Sequence, residues 1–150
     1  MPSLLPQEVA RRPYFAFGSN MVATQMHRHC PAAHDMGMAR LDGWRFRLNQ
    51  EGYATIVPDP SAYVLGVLWS LTSACEAALD DYEDIATGLY TKAYLEIQGT
   101  PALVYLATTT LPGHPLAGYL EAIIAEAYRR GFDPAYITQY LDKPLKGTYL

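Results

Sequence analysis

Glu83 is the carboxylate of this chain whose setting best suits proton transfer. It follows Leu79-Asp80-Asp81-Tyr82. On a helix turning about 100° per residue, Cys75, Leu79, Tyr82 and Ala86 share one apolar face, and Glu83 falls about 70° from its centre. Asp80, Asp81 and Asp84 point outward. A carboxylate at such a seam is partly desolvated, which disfavours its charged form and moves its pKa toward the range of a general acid/base. The same geometry also describes the edge of an ordinary solvated acidic face, so spacing alone leaves both readings open.

A second constellation is Gly18-Ser19-Asn20-Met21, which follows the aromatic segment Tyr14-Phe15-Ala16-Phe17. Glycine admits torsions closed to other residues, and the amides after it can converge on an anion or a carbonyl oxygen, with Ser19 and Asn20 adding side-chain donors. The alternative is a turn whose polar residues cap the next segment. A nucleotide loop is excluded, because the further glycines and the lysine that cradle phosphates are missing. His27, His29, Cys30 and His34 lie close in sequence but lack metal-site spacing, and His27 and His29 do not share a helix face. No metal and no cofactor is expected.

The elements that would position these residues follow from periodicity. Tyr14 to Phe17 reads as a short strand, and Val22 to Arg28 as a helix ended by Pro31. Trp44, Phe46 and Leu48 alternate with Arg45, Arg47 and Asn49 in a strand within Met36 to Asn49. Tyr53 to Val57 is a second strand broken by Pro58-Asp59-Pro60, and the more continuously apolar Val64 to Leu71 is a third. Ser73 and Glu76 stand at capping-box spacing before a helix from Ala74 to about Asp84. Thr91 to Ile97 and Ala102 to Thr108 flank a hairpin connection at Gln98-Gly99-Thr100. Leu116 to Arg130 is amphipathic, and Asp133-Pro134 starts a last helix to about Leu141. Strands this short and this close favour an antiparallel or mixed sheet that curls into a barrel over alternating strands and helices with long crossovers.

Composition bounds the class. A chain of 150 residues with 50% apolar content supports one core. The domain is placed at residues 14–141, after an irregular arm over 1–13 and before a tail over 142–150. A formal charge of -4 with scattered lysines and arginines is a solvated surface, which argues against nucleic acid as a partner. No apolar run reaches the roughly 20 residues of a bilayer span, so no membrane partner and a cytoplasmic location are expected. Cys30 and Cys75 read as reduced, mostly buried thiols. The stripe Leu116, Leu120, Ile123, Ile124, Tyr128 could support a homodimer but suits packing on its own sheet better, leaving a monomer or homodimer.

Four ordered segments carry a family resemblance. Tyr14-Phe15-Ala16-Phe17-Gly18-Ser19-Asn20-Met21 resembles the signature loop of the gamma-glutamylcyclotransferase-like (AIG2-like) family, and Leu79-Asp80-Asp81-Tyr82-Glu83 with Gly88-Leu89-Tyr90 resembles its catalytic segment. Gly52-Tyr53-Ala54-Thr55-Ile56 and Gly66-Val67-Leu68-Trp69 resemble the connecting strands. The likeness covers roughly Tyr14 to Thr108 and is fainter at Gly131-Phe132-Asp133-Pro134-Ala135-Tyr136. It implies an α+β fold, a small mixed, mainly antiparallel β-barrel flanked by helices with a pocket at one mouth, and an acyltransferase/lyase that releases 5-oxoproline from a small-molecule gamma-glutamyl substrate. By the resemblance, Glu83 is the catalytic glutamate, Phe17, Gly18, Ser19, Asn20 and Met21 receive the glutamyl head, and Tyr90 and Tyr136 line the pocket. Phe17 stands where many members carry tyrosine, so that hydroxyl is absent. The leaving amine is left open between an amino acid, an isopeptide-like amine and a secondary-metabolite conjugate. A non-catalytic module binding a glutamyl-like molecule is the alternative.

Overall fold

Five strands carry the structure, a computed structural model that describes residues 10–83 and 85–142. The calls at residues 1–9, Asp84 and residues 143–150 lie outside the described residues. The strands are β1 (Arg12–Ala16), β2 (His34–Leu48), β3 (Ala54–Leu71), β4 (Tyr90–Ile97) and β5 (Thr100–Ala107). They lie in the order β2-β3-β1-β5-β4. All pairings are antiparallel except β1 with β5, where Tyr14 faces Leu103 in parallel.

The expected barrel is not formed. β2 and β4 are opposite edges of an open mixed sheet, and no register joins them. The six short strands expected from sequence become five because Pro58-Asp59-Pro60 does not break the chain: β3 runs unbroken over 18 residues beside the 15 of β2. Five strands, two of them long, make a bent ribbon on one side rather than a closed ring. Pro60 is tolerated because the ladder passes from Asp42↔Tyr63 to Trp44↔Pro58, leaving residues 59–62 in a bulge where no amide is needed for pairing, and Pro58 stands where the ladder resumes at the bulge's edge. Asp59 accepts from the Ser61 amide at 2.9 Å and pairs with Arg45 at 2.8 Å. The Arg45 guanidinium and Ser61 hold the Asp59 carboxyl down at about 2.

Helices α1 (Ala23–His29), α2 (Ser73–Tyr82), α3 (Tyr119–Arg129) and α4 (Pro134–Tyr136), the last continued by a π-helical segment (Ile137–Asp142), pack with the sheet around one core. Met26, Leu79, Leu120, Ile123, Ala127 and Ile137 are among the helices' fully buried apolar contributions. Leu116 and Tyr128, the ends of the α3 stripe, are exposed, while Leu120 and Ile123 between them are buried within the chain. The hairpin turn has Gln98 and Gly99 both at positive φ, the two-residue connection that matches strand twist. Asp133 caps α4, accepting from the Ala135 amide, with proline following as predicted.

Two local expectations are corrected. Thr72, not Ser73, caps α2, accepting from the Cys75 amide at 3.2 Å; Glu76 turns instead to Lys92 and Arg12, so no capping box forms. The charge of Lys92 across the sheet outcompetes a local amide. Cys30 and Cys75, expected as thiols, are joined in a disulfide that ties the end of α1 to the first turn of α2. The two residues are buried and 5.0 Å apart at Cα, a separation that sequence distance did not reveal.

Candidate active site

The Gly18-Ser19-Asn20-Met21 turn is a single 3-10 turn (Ser19–Met21) between β1 and α1. Its bonds run from the Met21 amide to the Gly18 carbonyl and from the Val22 amide to Ser19. The Ser19 and Asn20 amides precede these and have no acceptor within the turn, as at any helix start. Gly18 has negative φ, so its role is space rather than special torsions: a Cβ there would stand 3.1 Å from the Ala54 Cβ and 3.5 Å from the Tyr119 hydroxyl.

The turn is held from below by residues far away in sequence. Trp69, fully buried on β3, donates its indole N–H to the Asn20 carbonyl at 3.0 Å. Arg130, after α3, donates to the Met21 carbonyl at 2.9 Å while paired with Glu126 and Asp35. Burial would raise the Asp35 and Glu126 carboxyls, but their arginine partners outweigh it and both are held below their ordinary values. Gln25 of α1 donates to Ser19 Oγ at 2.7 Å and more weakly to Asn20 Oδ1, and Asn20 Nδ2 donates to the Tyr14 hydroxyl at 3.2 Å. The Asn20 side chain, buried between Tyr14 and Gln25, thus braces the turn.

Above the turn lies a cavity of about 210 Å³. Phe17, Gly18, Ser19, Asn20, Glu83 and Tyr90 all line it; Met21 and Tyr136 do not. Met21 is buried beneath the turn. Tyr136 packs among Tyr63, Phe132 and Tyr140, with its hydroxyl buried beside the Leu65 backbone. Phe17 is buried with its ring against Phe15 and Phe46.

Glu83 caps α2 at its C-terminal end, its amide bonded to the Leu79 carbonyl at 2.8 Å. The helix stops one residue short of it, so Ala86 leaves the apolar face and Tyr82 becomes half exposed. Four phenols surround the carboxylate, and its charge raises the pKa of each: Tyr14, Tyr82, Tyr90 and Tyr119. Burial is the larger cause at all four. They remain protonated and act as neutral hydrogen-bonding groups.

Tyr119 had no site role in the sequence reading and is the main residue that reading missed. It opens α3, and its hydroxyl accepts from the Ala54 amide at 3.1 Å. The Tyr90 hydroxyl donates to the carbonyl of the same Ala54 at 3.2 Å. The first residue of β3 thereby fixes two phenols from two other elements. The Ser19 side chain hydrogen-bonds the same Tyr119 phenol, tying it to the turn as well.

His27 Nε2 lies 3.1 Å from the Ala33 carbonyl, and the His29 ring packs at a tilt against Tyr82 of α2. Among the described residues no group of three His, Cys, Asp or Glu could hold a metal ion, and no helix is long and apolar enough to cross a membrane.

Comparison with known proteins is consistent with this geometry. The chain is 25% identical over 138 residues to the gamma-glutamylcyclotransferases of Mus musculus and Homo sapiens, covering 82% of this chain and 73% of each relative. A solved gamma-glutamyl cyclotransferase structure shares the fold, with a TM-score of 0.79 at 24% identity over 93% of this chain and 89% of that one. The model of the family described as gamma-glutamyl cyclotransferase, AIG2-like, matches residues 14–123, a span that includes Tyr119 and stops short of Tyr136. The chain belongs to the gamma-glutamyl cyclotransferase, AIG2-like, family.

Proposed function

We propose that this protein converts a gamma-glutamyl amide into 5-oxoproline and a free amine, with Glu83 as the proton shuttle. The observation that carries the reading is the single cavity shared by Glu83, the Gly18-Ser19-Asn20 turn and a set of neutral phenols. The nucleophile is the substrate's own alpha-amine, so no activated serine or cysteine is required, and tethering supplies the advantage of proximity. Charged Glu83 takes a proton from the alpha-ammonium. The freed amine attacks the gamma-carbonyl, forming a new C–N bond and a tetrahedral centre. Glu83 then returns its proton to the departing nitrogen as the original C–N bond breaks, and takes up the second proton that the ring nitrogen sheds on becoming an amide, passing it to the released amine, so no water is consumed.

The remaining groups suit the substrate's charges. The Ser19 and Asn20 amides and the Ser19 hydroxyl are donors for the glutamyl carboxylate. The Tyr119 hydroxyl is a donor for the oxyanion that develops on the gamma-carbonyl oxygen, a role that gains strength in a cavity shielded from water. Tyr14 places a hydroxyl in the same cavity, which carries no hydroxyl at Phe17. The test is Glu83→Gln, which keeps the shape and removes the titrating group. A folded variant forming 5-oxoproline from gamma-glutamyl amides at the wild-type rate would falsify the shuttle.

A further inference from the structure

Glu76, Asp80 and Glu83 recur at the i, i+4, i+7 spacing of a single helix stripe. Asp80, expected to point outward, turns with this stripe to the sheet. Its Oδ1 accepts from the Tyr105 hydroxyl of β5 at 2.7 Å, and its Oδ2 from Lys92 Nζ of β4 at 3.1 Å. Lys92 also pairs with Glu76, which Arg12 reaches at 3.2 Å. The Asp80 carbonyl accepts from the Ile85 amide at 3.1 Å, just past Glu83. Cations therefore meet the outer end of the stripe, and a phenol meets it one turn before Glu83.

That phenol also belongs to the cavity. Tyr105 is buried, lines the cavity and stands edge-on to Tyr14 with ring centroids 5.7 Å apart. A phenol has a single proton to give and an oxygen that can also accept. Once the proton is committed to a carboxylate, Tyr105 can offer a ligand only its lone pairs. The charge-assisted bond strengthens the oxygen as an acceptor by polarising it. Burial first, and then the bond to Asp80, pushes the Tyr105 phenol above its ordinary value of 10.0, so it keeps that proton. Tyr90 gives its proton to a neutral group instead, the Ala54 carbonyl, and Tyr14 accepts from Asn20 Nδ2.

We propose that Asp80 is a positioning residue: it takes the Tyr105 hydrogen bond so that the phenol oxygen accepts from the substrate's alpha-ammonium in the cavity shared with Glu83. This rests on the cyclotransferase reading above. The pair thereby distinguishes a glutamyl head from a glutaryl one, the same chain without the amine.

The test is calorimetric titration of Glu83→Gln protein with gamma-glutamyl ethylamide and with glutaric acid monoethylamide, which lacks only the alpha-ammonium. The first should bind about tenfold more tightly, the range of one hydrogen bond to a charged group. Tyr105→Phe and Asp80→Ala, each added to that protein, should cut the ratio to below about threefold, and the two together should do no more than either alone. Asp80→Asn keeps an acceptor for the phenol and should keep most of the ratio. Lys92→Met removes the outer ion pair, leaves the bond from Tyr105 to Asp80, and should leave the ratio unchanged. Equal affinity for the two amides, or a ratio unmoved in Tyr105→Phe or Asp80→Ala, overturns the proposal. So does a ratio lost equally in Lys92→Met, which would make Asp80 an anchor of α2 and nothing more. Release of 5-oxoproline from the first amide by protein with Glu83 intact tests the reaction separately. Its absence beside the expected binding ratios sinks the reaction and leaves the ammonium acceptor standing, and failure of either amide to bind overturns both.

Discussion

Replacing Arg130 with methionine keeps an aliphatic stem beside Trp69 and removes every donor of the guanidinium, which is only 9% exposed. Three consequences can be sized. The Met21 carbonyl loses its side-chain donor beneath the turn, at about 1–2 kcal/mol for an acceptor left unpaired. Asp35, 40% exposed, loses a screened partner at about 0.5 kcal/mol. Glu126, 7% exposed, keeps Arg129, so the about 3–5 kcal/mol of a broken buried pair shrinks to about 1. The total is about 3 kcal/mol, and at about 2–4 °C per kcal/mol for a chain of this size the Tm falls by about 9 °C. Because the lost donor holds the turn whose amides are proposed to receive the substrate, kcat/KM at a temperature well below the new Tm should also drop by about tenfold.

The assay is calorimetry of both proteins across pH, with 5-oxoproline release measured alongside. Asp35 and Glu126 are held below their ordinary values of 3.8 and 4.5, so their contribution is fully present above those values and is lost as pH falls through the lower folded ones. The gap between wild type and variant should therefore be widest near neutrality and narrow by about half below about pH 4, leaving the share of the Met21 carbonyl, which does not titrate. A Tm shift under about 2 °C at pH 7, or a gap that widens in acid, refutes the bracing role.

Tyr119→Phe should leave the Ala54 amide without its side-chain acceptor, costing about 1–2 kcal/mol by denaturant titration, and should lower kcat about tenfold if the hydroxyl steadies the oxyanion. Tyr136→Phe, outside the cavity, should leave kcat/KM at the wild-type level; a tenfold loss would put that ring back in the site. Gly66→Ala places a Cβ 2.5 Å from the Ala16 carbonyl and 2.8 Å from the Phe15 ring, where β1 and β3 pair, and should cost about 3 kcal/mol in chemical denaturation. Reducing the Cys30–Cys75 bridge, which spans 45 residues, should lower stability by about 4 kcal/mol. Equal denaturation midpoints with and without reductant would count against the bridge.

Local pattern made several elements legible. Alternation in Phe46 and Leu48, the Gln98-Gly99 connection and the Asp133-Pro134 start each depend on neighbours within a few residues, and each has its counterpart in the structure. The barrel was misread because Pro58 and Pro60 look like a strand break when the ladder partner is unknown; beside β2, Pro58 pairs with Trp44 and Pro60 falls in the bulge that follows. The disulfide was missed for the same reason, since its two halves meet only when α1 and α2 pack. In the candidate site, Glu83 and the Gly18-Ser19-Asn20 turn stand out as a motif. Arg130 lies 109 positions from the Met21 carbonyl it holds, and Trp69 lies 49 from Asn20. No periodicity in one segment encodes a bond to another.

Sequence by itself determined which residues can do chemistry here: a carboxylate after an apolar helix face, a small polar turn after an aromatic strand, and their family. Tertiary structure alone decided that Tyr119 rather than Tyr136 lines the cavity and that the sheet stays open. The physical reason is range. Capping, turns and side-chain alternation are set by contacts along the chain, whereas a cavity's walls and charge are set by side chains brought together only by packing.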